Sequence, residues 1–171
     1  SSWFHRTKLL MPDGTVKYSK KGGFQTEAEA EVSYYKCEEE FKKSLDCLKI
    51  FAETKYPFIV STKNPVLACK EPYLSLLGQC DCVFQISMVC SKYDRLEPGA
   101  PTYEQRLEAT KILSRHVTRL IVRIQPYFTD CFKDILKEIP RYAENGVYGI
   151  ICEGYHSQKK QKGLIKDGKY C

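Results

Sequence analysis

The stretch from Val83 to Gln125 limits the possible folds more than any other part of this 171-residue sequence. Val83 to Val89 alternates as a strand does, with Phe84, Ile86 and Met88 on one side and Val83, Gln85 and Ser87 on the other. Leu120 to Gln125 repeats the pattern: Leu120, Val122 and Ile124 oppose Ile121, Arg123 and Gln125. Pro126 is expected to end that strand, because proline cannot donate to a ladder. Between the two, Thr102 and Gln105 form a capping box just after Pro98 and Pro101. Tyr103, Leu107, Thr110, Leu113 and Val117 follow at helical spacing, which predicts an amphipathic helix of about four turns. Two strands joined by such a helix lie parallel, with a right-handed crossover.

The same alternation extends in both directions. Tyr56 to Lys63 reads as a buried strand with Ile59, Ser61 and Lys63 on one face. Asn64-Pro65 turns the chain, and Glu71 to Leu77 can form a short helix. Past Gln125, Thr129 to Ala143 has helical spacing at Phe132, Ile135 and Ile139. Asn145-Gly146 then leads into a last strand, Val147 to Glu153, with Val147, Gly149, Ile151 and Glu153 on one face. The expected fold is therefore α/β, with a partial parallel (β/α) barrel of about four strands. Spacing alone leaves open a second arrangement, an open sheet whose polar strand ends merely meet helix caps. In a barrel, inward residues near the C-terminal strand ends build the site, and Gln85, Ser87, Arg123 and Gln125 take that place.

Ahead of these units the chain changes character. Trp3 to Leu10 and Thr15 to Ser19 flank the turn Met11-Pro12-Asp13-Gly14 and predict a hairpin. Lys20 to Phe24 is expected to add a short third element. Thr26 and Glu29 make another capping box, opening a helix from about Glu27 to Glu53 with Tyr34, Cys37, Phe41, Leu45, Leu48 and Ala52 on one stripe.

Charge is placed unevenly. The formal net charge is +6, and its excess lies at the ends: Arg6, Lys8, Lys17, Lys20 and Lys21 face only Asp13 before Phe24. Near the C-terminus, Lys159, Lys160, Lys162, Lys166 and Lys169 face only Asp167. Basic ends suit a polyanion, usually nucleic acid. The nine cysteines are scattered and odd in number, which is thiol usage of a reducing compartment. Cys80-Asp81-Cys82, with Cys69 and Cys90 further off, is the nearest approach to metal spacing. It lacks a second pair, and His5, His116 and His156 sit in separate segments, so no metal site is expected. With no apolar run of membrane-spanning length and no secretory leader at its start, the chain is expected to be soluble and cytoplasmic, without a membrane partner.

Trp3, Arg6, Pro12-Asp13-Gly14, Lys21-Gly22-Gly23-Phe24 and Thr26-x-x-Glu29-Ala30 together resemble the N-terminal arm-type DNA-binding domain of phage and conjugative-element tyrosine recombinases. The resemblance covers residues 1–45. It implies a three-stranded sheet set against DNA, with Trp3, Arg6, Lys8, Lys17, Lys20 and Lys21 as contacts. No catalytic domain of that family follows.

Residues 45–171 are similar to the later strands of radical SAM enzymes of the branch that includes spore photoproduct lyase. The carriers are Ser61-Thr62-Lys63, Gln85-Ile86-Ser87, Glu97-Pro98-Gly99-Ala100-Pro101 with Glu104-x-Arg106-Leu107, and Val122-Arg123-Ile124-Gln125-Pro126. By that resemblance Ser61, Lys63, Ser87, Arg123 and Gln125 would face S-adenosylmethionine, with Glu153 a further candidate and Lys63 suited to the methionyl carboxylate. Such enzymes seat a four-iron cluster on Cys-x-x-x-Cys-x-x-Cys, and no such triplet occurs in this sequence.

The expected organisation is thus an arm-like unit over residues 1–44 fused to a half-barrel over residues 45–171. The expected function is a non-catalytic binding protein of phage or mobile-element origin, without catalytic residues or a cofactor. It would engage nucleic acid, or a nucleic-acid-handling protein complex, through Trp3, Arg6, Lys8, Lys17, Lys20, Lys21, Lys159, Lys160 and Lys162. The alternative is a split or degenerate radical SAM enzyme that binds S-adenosylmethionine and an iron-sulfur cluster, the latter on Cys69, Cys80, Cys82 and Cys90. In either case the open sheet edges favour a homodimer.

Overall fold

The computed structural model describes residues 3–10, 16–97, 99–154, 165–166 and 169–170, with side chains for 25–26, 29, 39–97 and 99–154. At the N-terminus, β1 (Trp3–Leu10) and β2 (Val16–Phe24) pair antiparallel as a two-stranded sheet. The expected third element is not separate: Lys20 to Phe24 continues β2, with an irregularity in register between Trp3 and Phe4. The hairpin lies against α1 (Glu27–Thr54), whose N-terminus is closed by the Thr26–Glu29 capping box. A helix of this length supplies the support that an isolated hairpin lacks. It runs without interruption through Lys43 to Leu45.

The remainder is α/β. Strands β3 (Phe58–Thr62), β4 (Cys82–Ser87), β5 (Arg119–Tyr127) and β6 (Gly149–Gly154) form one four-stranded sheet in sequential order. All three pairings are parallel. Between them run α2 (Tyr73–Leu77), α3 (Tyr103–Leu113) and α4 (Phe132–Glu144), with 3-10 turns at Ser91–Leu96 and Thr129–Cys131. Beyond β6, β7 (Ile165–Lys166) and β8 (Lys169–Tyr170) make a small antiparallel ribbon.

One sheet face carries the core. Cys82, Phe84 and Ile86 of β4 and Leu120, Val122 and Ile124 of β5 are all buried, in one cluster with Leu48 of α1, Leu77 of α2, Leu107 and Leu113 of α3, and Ile135 and Tyr142 of α4. The opposite face is less covered: Val83, Gln85, Ser87, Ile121, Arg123 and Gln125 are only half-buried. Sequential parallel strands with crossovers of one hand place every helix on the same side of the sheet, which accounts for this asymmetry.

Several expectations need correction. β3 is not buried, since Ile59 is 64% exposed at the free edge of the sheet. Pro126 does not stop β5. The strand runs on to Tyr127, which pairs with Gly154, and the ladder absorbs the proline through a register irregularity between Ile124 and Tyr127. α3 ends at Leu113, after eleven residues instead of four turns, and Val117 is buried in the connection that follows. In α4 the buried positions are Ile135 and Tyr142, while Phe132 and Ile139 stay exposed.

The crossovers are fixed by local bonds. Thr102 and Gln105 close the capping box of α3, and Asp94 accepts from the Tyr103 amide at 3.0 Å. α4 ends in a Schellman-type turn: Val147 N–H donates to Tyr142 O and Gly146 N–H to Ala143 O, both at 3.0 Å. Gly146 has φ 80°, a conformation that favours glycine. From that turn the Tyr148 amide reaches Leu120 O at 2.8 Å and sets β6 in register beside β5.

Candidate functional site

The polar residues expected at the strand ends do come together. On the half-covered face, Ser61 pairs with Gln85 across β3 and β4, and Ser87 with Arg123 across β4 and β5. Ser61 Oγ donates to Gln85 Oε1 at 2.9 Å. Arg123 forms a bidentate pair with Glu153 of β6, Nε to Oε1 at 3.0 Å and Nη2 to Oε2 at 2.7 Å. Such a fork gives the guanidinium a defined orientation that a lone surface charge lacks. Gln125, half-buried, lies two residues further along β5.

Lys63 follows the last residue of β3. Its Nζ meets Glu97 Oε1 at 2.7 Å, and Glu97 Oε2 meets Arg106 Nη2 at 2.6 Å. Arg106 is 2% exposed. Its remaining donors go to main-chain oxygens, Nη1 to Ser87 O and Nε to Pro101 O, each at 2.8 Å. A buried guanidinium needs this degree of satisfaction, because an unpaired charge out of water is costly. Burial pushes the Glu97 carboxyl up, but hydrogen bonds from Lys63 and Arg106 outweigh it and hold the group below the usual carboxylate range.

In the sequence Glu97 and Arg106 stand out only as members of the Glu97-Pro98-Gly99-Ala100-Pro101 and Glu104-x-Arg106-Leu107 motif, which attaches no role to either. The available signal was the apolar setting of Arg106, between Tyr103 and Leu107 on the buried side of a helix, where a charge must find a partner. The partner comes from another segment, which spacing cannot show. The outcome is a row of polar groups along the C-terminal ends of β3 to β6 in which Lys63 and Arg123 already hold carboxylates.

The four cysteines of the alternative cluster, Cys69, Cys80, Cys82 and Cys90, do not come together as one set of ligands. Cys80 Sγ donates to Leu76 O at 3.1 Å, and Cys69 Sγ lies 3.9 Å from Ala109 O. Cys90 Sγ stands 3.0 Å from Cys131 Sγ within the core. Burial pushes the Cys69 thiol up to about 11 and the Cys82 thiol up to about 12, so both are neutral near pH 7. Among the described residues, no group of three or more histidine, cysteine, aspartate or glutamate side chains could hold a metal ion.

The hairpin sets most of the expected nucleic-acid contacts in register. Arg6 pairs with Lys20, His5 with Lys21, Lys8 with Tyr18, Leu9 with Lys17, and Trp3 with Phe24. Lys159, Lys160 and Lys162 lie outside the described residues. Among the described residues, no helix is long and apolar enough to cross a membrane. The chain matches no protein-family model, no curated protein and no solved structure.

Proposed function

We propose that this chain is a non-catalytic binding protein that engages nucleic acid through its N-terminal hairpin, with the parallel sheet as scaffold. The observation that carries this reading is the register of β1 and β2. It brings Arg6, Lys8, Lys17, Lys20 and Lys21 onto two paired strands, while the sequence from Ser1 to Phe24 holds one acidic residue, Asp13. Strands of this kind can lie in a groove and meet phosphates with their cations. The strand-end cations of the sheet, Lys63 and Arg123, are engaged internally by Glu97 and Glu153. The seven described cysteines are all free, which suits a reducing cytoplasm.

The test is fluorescence polarisation of the full chain with a labelled duplex, repeated for Lys20→Glu with Lys21→Glu. The double variant is expected to weaken binding by roughly tenfold or more. No binding by the unmodified chain, or equal binding by the variant, overturns the proposal and leaves a protein complex as the target.

A second reading rests on the strand ends. Ser61, Gln85 and Arg123 converge where a parallel sheet holds its ligands, in keeping with S-adenosylmethionine binding by a degenerate radical SAM fold. Calorimetry with S-adenosylmethionine separates the two. Heat of binding that Lys63→Ala removes supports this second reading, and its absence from the unmodified chain ends it.

A further inference from the structure

Large apolar side chains that remain exposed among the described residues gather at the two free edges of the four-stranded sheet. Beside β3 are Ile50, Tyr56 and Ile59; beside β6 are Phe132, Leu136, Ile139, Tyr148 and Ile150. The exposed residues are therefore not the scattered single side chains normal on a protein surface.

The two edges are complementary in form. Phe58 N–H bonds to Asp81 O, so the amides and carbonyls of Ile59 and Ser61 point away from β4, toward the free edge. Beside that edge lies a cleft of about 590 Å³, bounded by Cys47, Leu48 and Phe51 of α1 and by Phe58 and Val60 of β3. α1 is held over it by Ser44 Oγ, 2.8 Å from Tyr73 Oη of α2, and by Phe51 stacked on Phe58 at 4.0 Å. At the other edge the situation is reversed. Ile150 and Cys152 of β6 share the sheet face of Val122 and Ile124, yet both are exposed. One flank of α4 turns to α3 through Arg141 and Glu104 at 2.8 Å. Phe132, Leu136 and Ile139 lie on the other side of its buried stripe, Ile135 and Tyr142.

We infer that a second copy of this chain docks its β6 edge along β3, seating Ile150 and Cys152 in the cleft beneath α1. Phe132, Leu136 and Ile139 of α4 then cover Cys47 and Ile50 on the outer side of the partner's α1. The same contact repeats in reverse under two-fold symmetry, because each copy carries one edge of each kind. Four parallel strands from each copy make eight, the number at which a parallel barrel closes with its interior filled by side chains. Closure would bury the half-covered sheet face and remove both edges. Two sets of Ser61, Gln85, Arg123 and Glu153 would line one lumen, so the polar site is incomplete in a single copy. This inference does not depend on what the hairpin binds.

Sedimentation equilibrium of the full chain tests it, with an expected mass twice the 19.8 kDa of one copy. Ile50→Glu and Leu136→Lys replace exposed helical positions, so each variant should keep its helical circular dichroism. Each alone is expected to be monomeric, because every junction then meets an unmatched charge. An equimolar mixture should restore the dimer, since one junction pairs Glu with Lys and the other is unaltered. A monomeric unmodified chain, a dimer that neither substitution weakens, or a mixture that fails to reassociate would each overturn the proposal. The last outcome would point to pairing of like edges, and the first to closure by a different polypeptide.

Discussion

Glu97 joins segments that lie far apart in sequence: Lys63 after β3, Arg106 on α3 and, through Arg106, the Ser87 carbonyl at the end of β4. Removing its charge leaves Arg106 buried without a counter-ion, a change that costs about 3 kcal/mol in comparable sites. Because the folded carboxyl is held below its ordinary range, its contribution is fully present above the unfolded pKa and is lost as pH falls through the folded one. Glu97→Gln should therefore unfold at lower denaturant than the unmodified protein at pH 7. The difference should shrink as pH is lowered through the acidic range, because protonation makes the native side chain resemble the variant. A gap that is constant from neutral to strongly acidic pH would show that the carboxylate charge is not what matters. Lys63 and Arg123 were legible as strand-end cations, but their partners were not, since Glu97 is 34 residues from Lys63 and Glu153 is 30 residues from Arg123 in the chain.

At the scale of elements, α3 and α4 are tied by the hydroxyls of Tyr103 and Tyr142, 2.6 Å apart in the core. Asn145 adds bonds from Nδ2 to Thr110 Oγ1 at 2.9 Å and to Leu107 O at 3.1 Å. Burial pushes the Tyr142 phenol up to about 12. Tyr103→Phe should cost about 1–2 kcal/mol in urea unfolding, because a buried hydroxyl loses its partner. Tyr103→Phe with Tyr142→Phe should cost less than the sum of the single changes. Strict additivity would mean that the two hydroxyls do not act as a pair. Elements with local causes were readable in advance: both capping boxes, the alternation of β4 and β5, and the buried stripe of α3 up to Leu113. Elements governed by the sheet as a whole were not. Phe132 and Ile139 have core-like spacing, yet stay exposed because β6 is the last strand of the sheet and no further unit among the described residues covers α4 on that side. Pro126 has the chemistry of a strand terminator, and only the pairing of Tyr127 with Gly154 shows how the ladder passes it.

For the whole molecule, the proposed division of labour follows from where basic residues stand in strands that hold no acidic residue. A parallel sheet with one packed face carries strand-end cations already joined to carboxylates. The hairpin, set against α1, carries five basic residues in strands where no acidic residue stands. The most direct measurement is therefore the salt dependence of duplex binding by the full chain. Alternate strand residues take opposite faces, so if the hairpin face that carries Arg6, Lys8 and Lys20 meets phosphates, log K should fall against log salt with a slope of about −2.7. The slope should become shallower by about one when Lys20 is replaced by glutamine. An absence of binding at low salt, or a slope indifferent to that replacement, would contradict the proposal that the hairpin is the nucleic-acid surface.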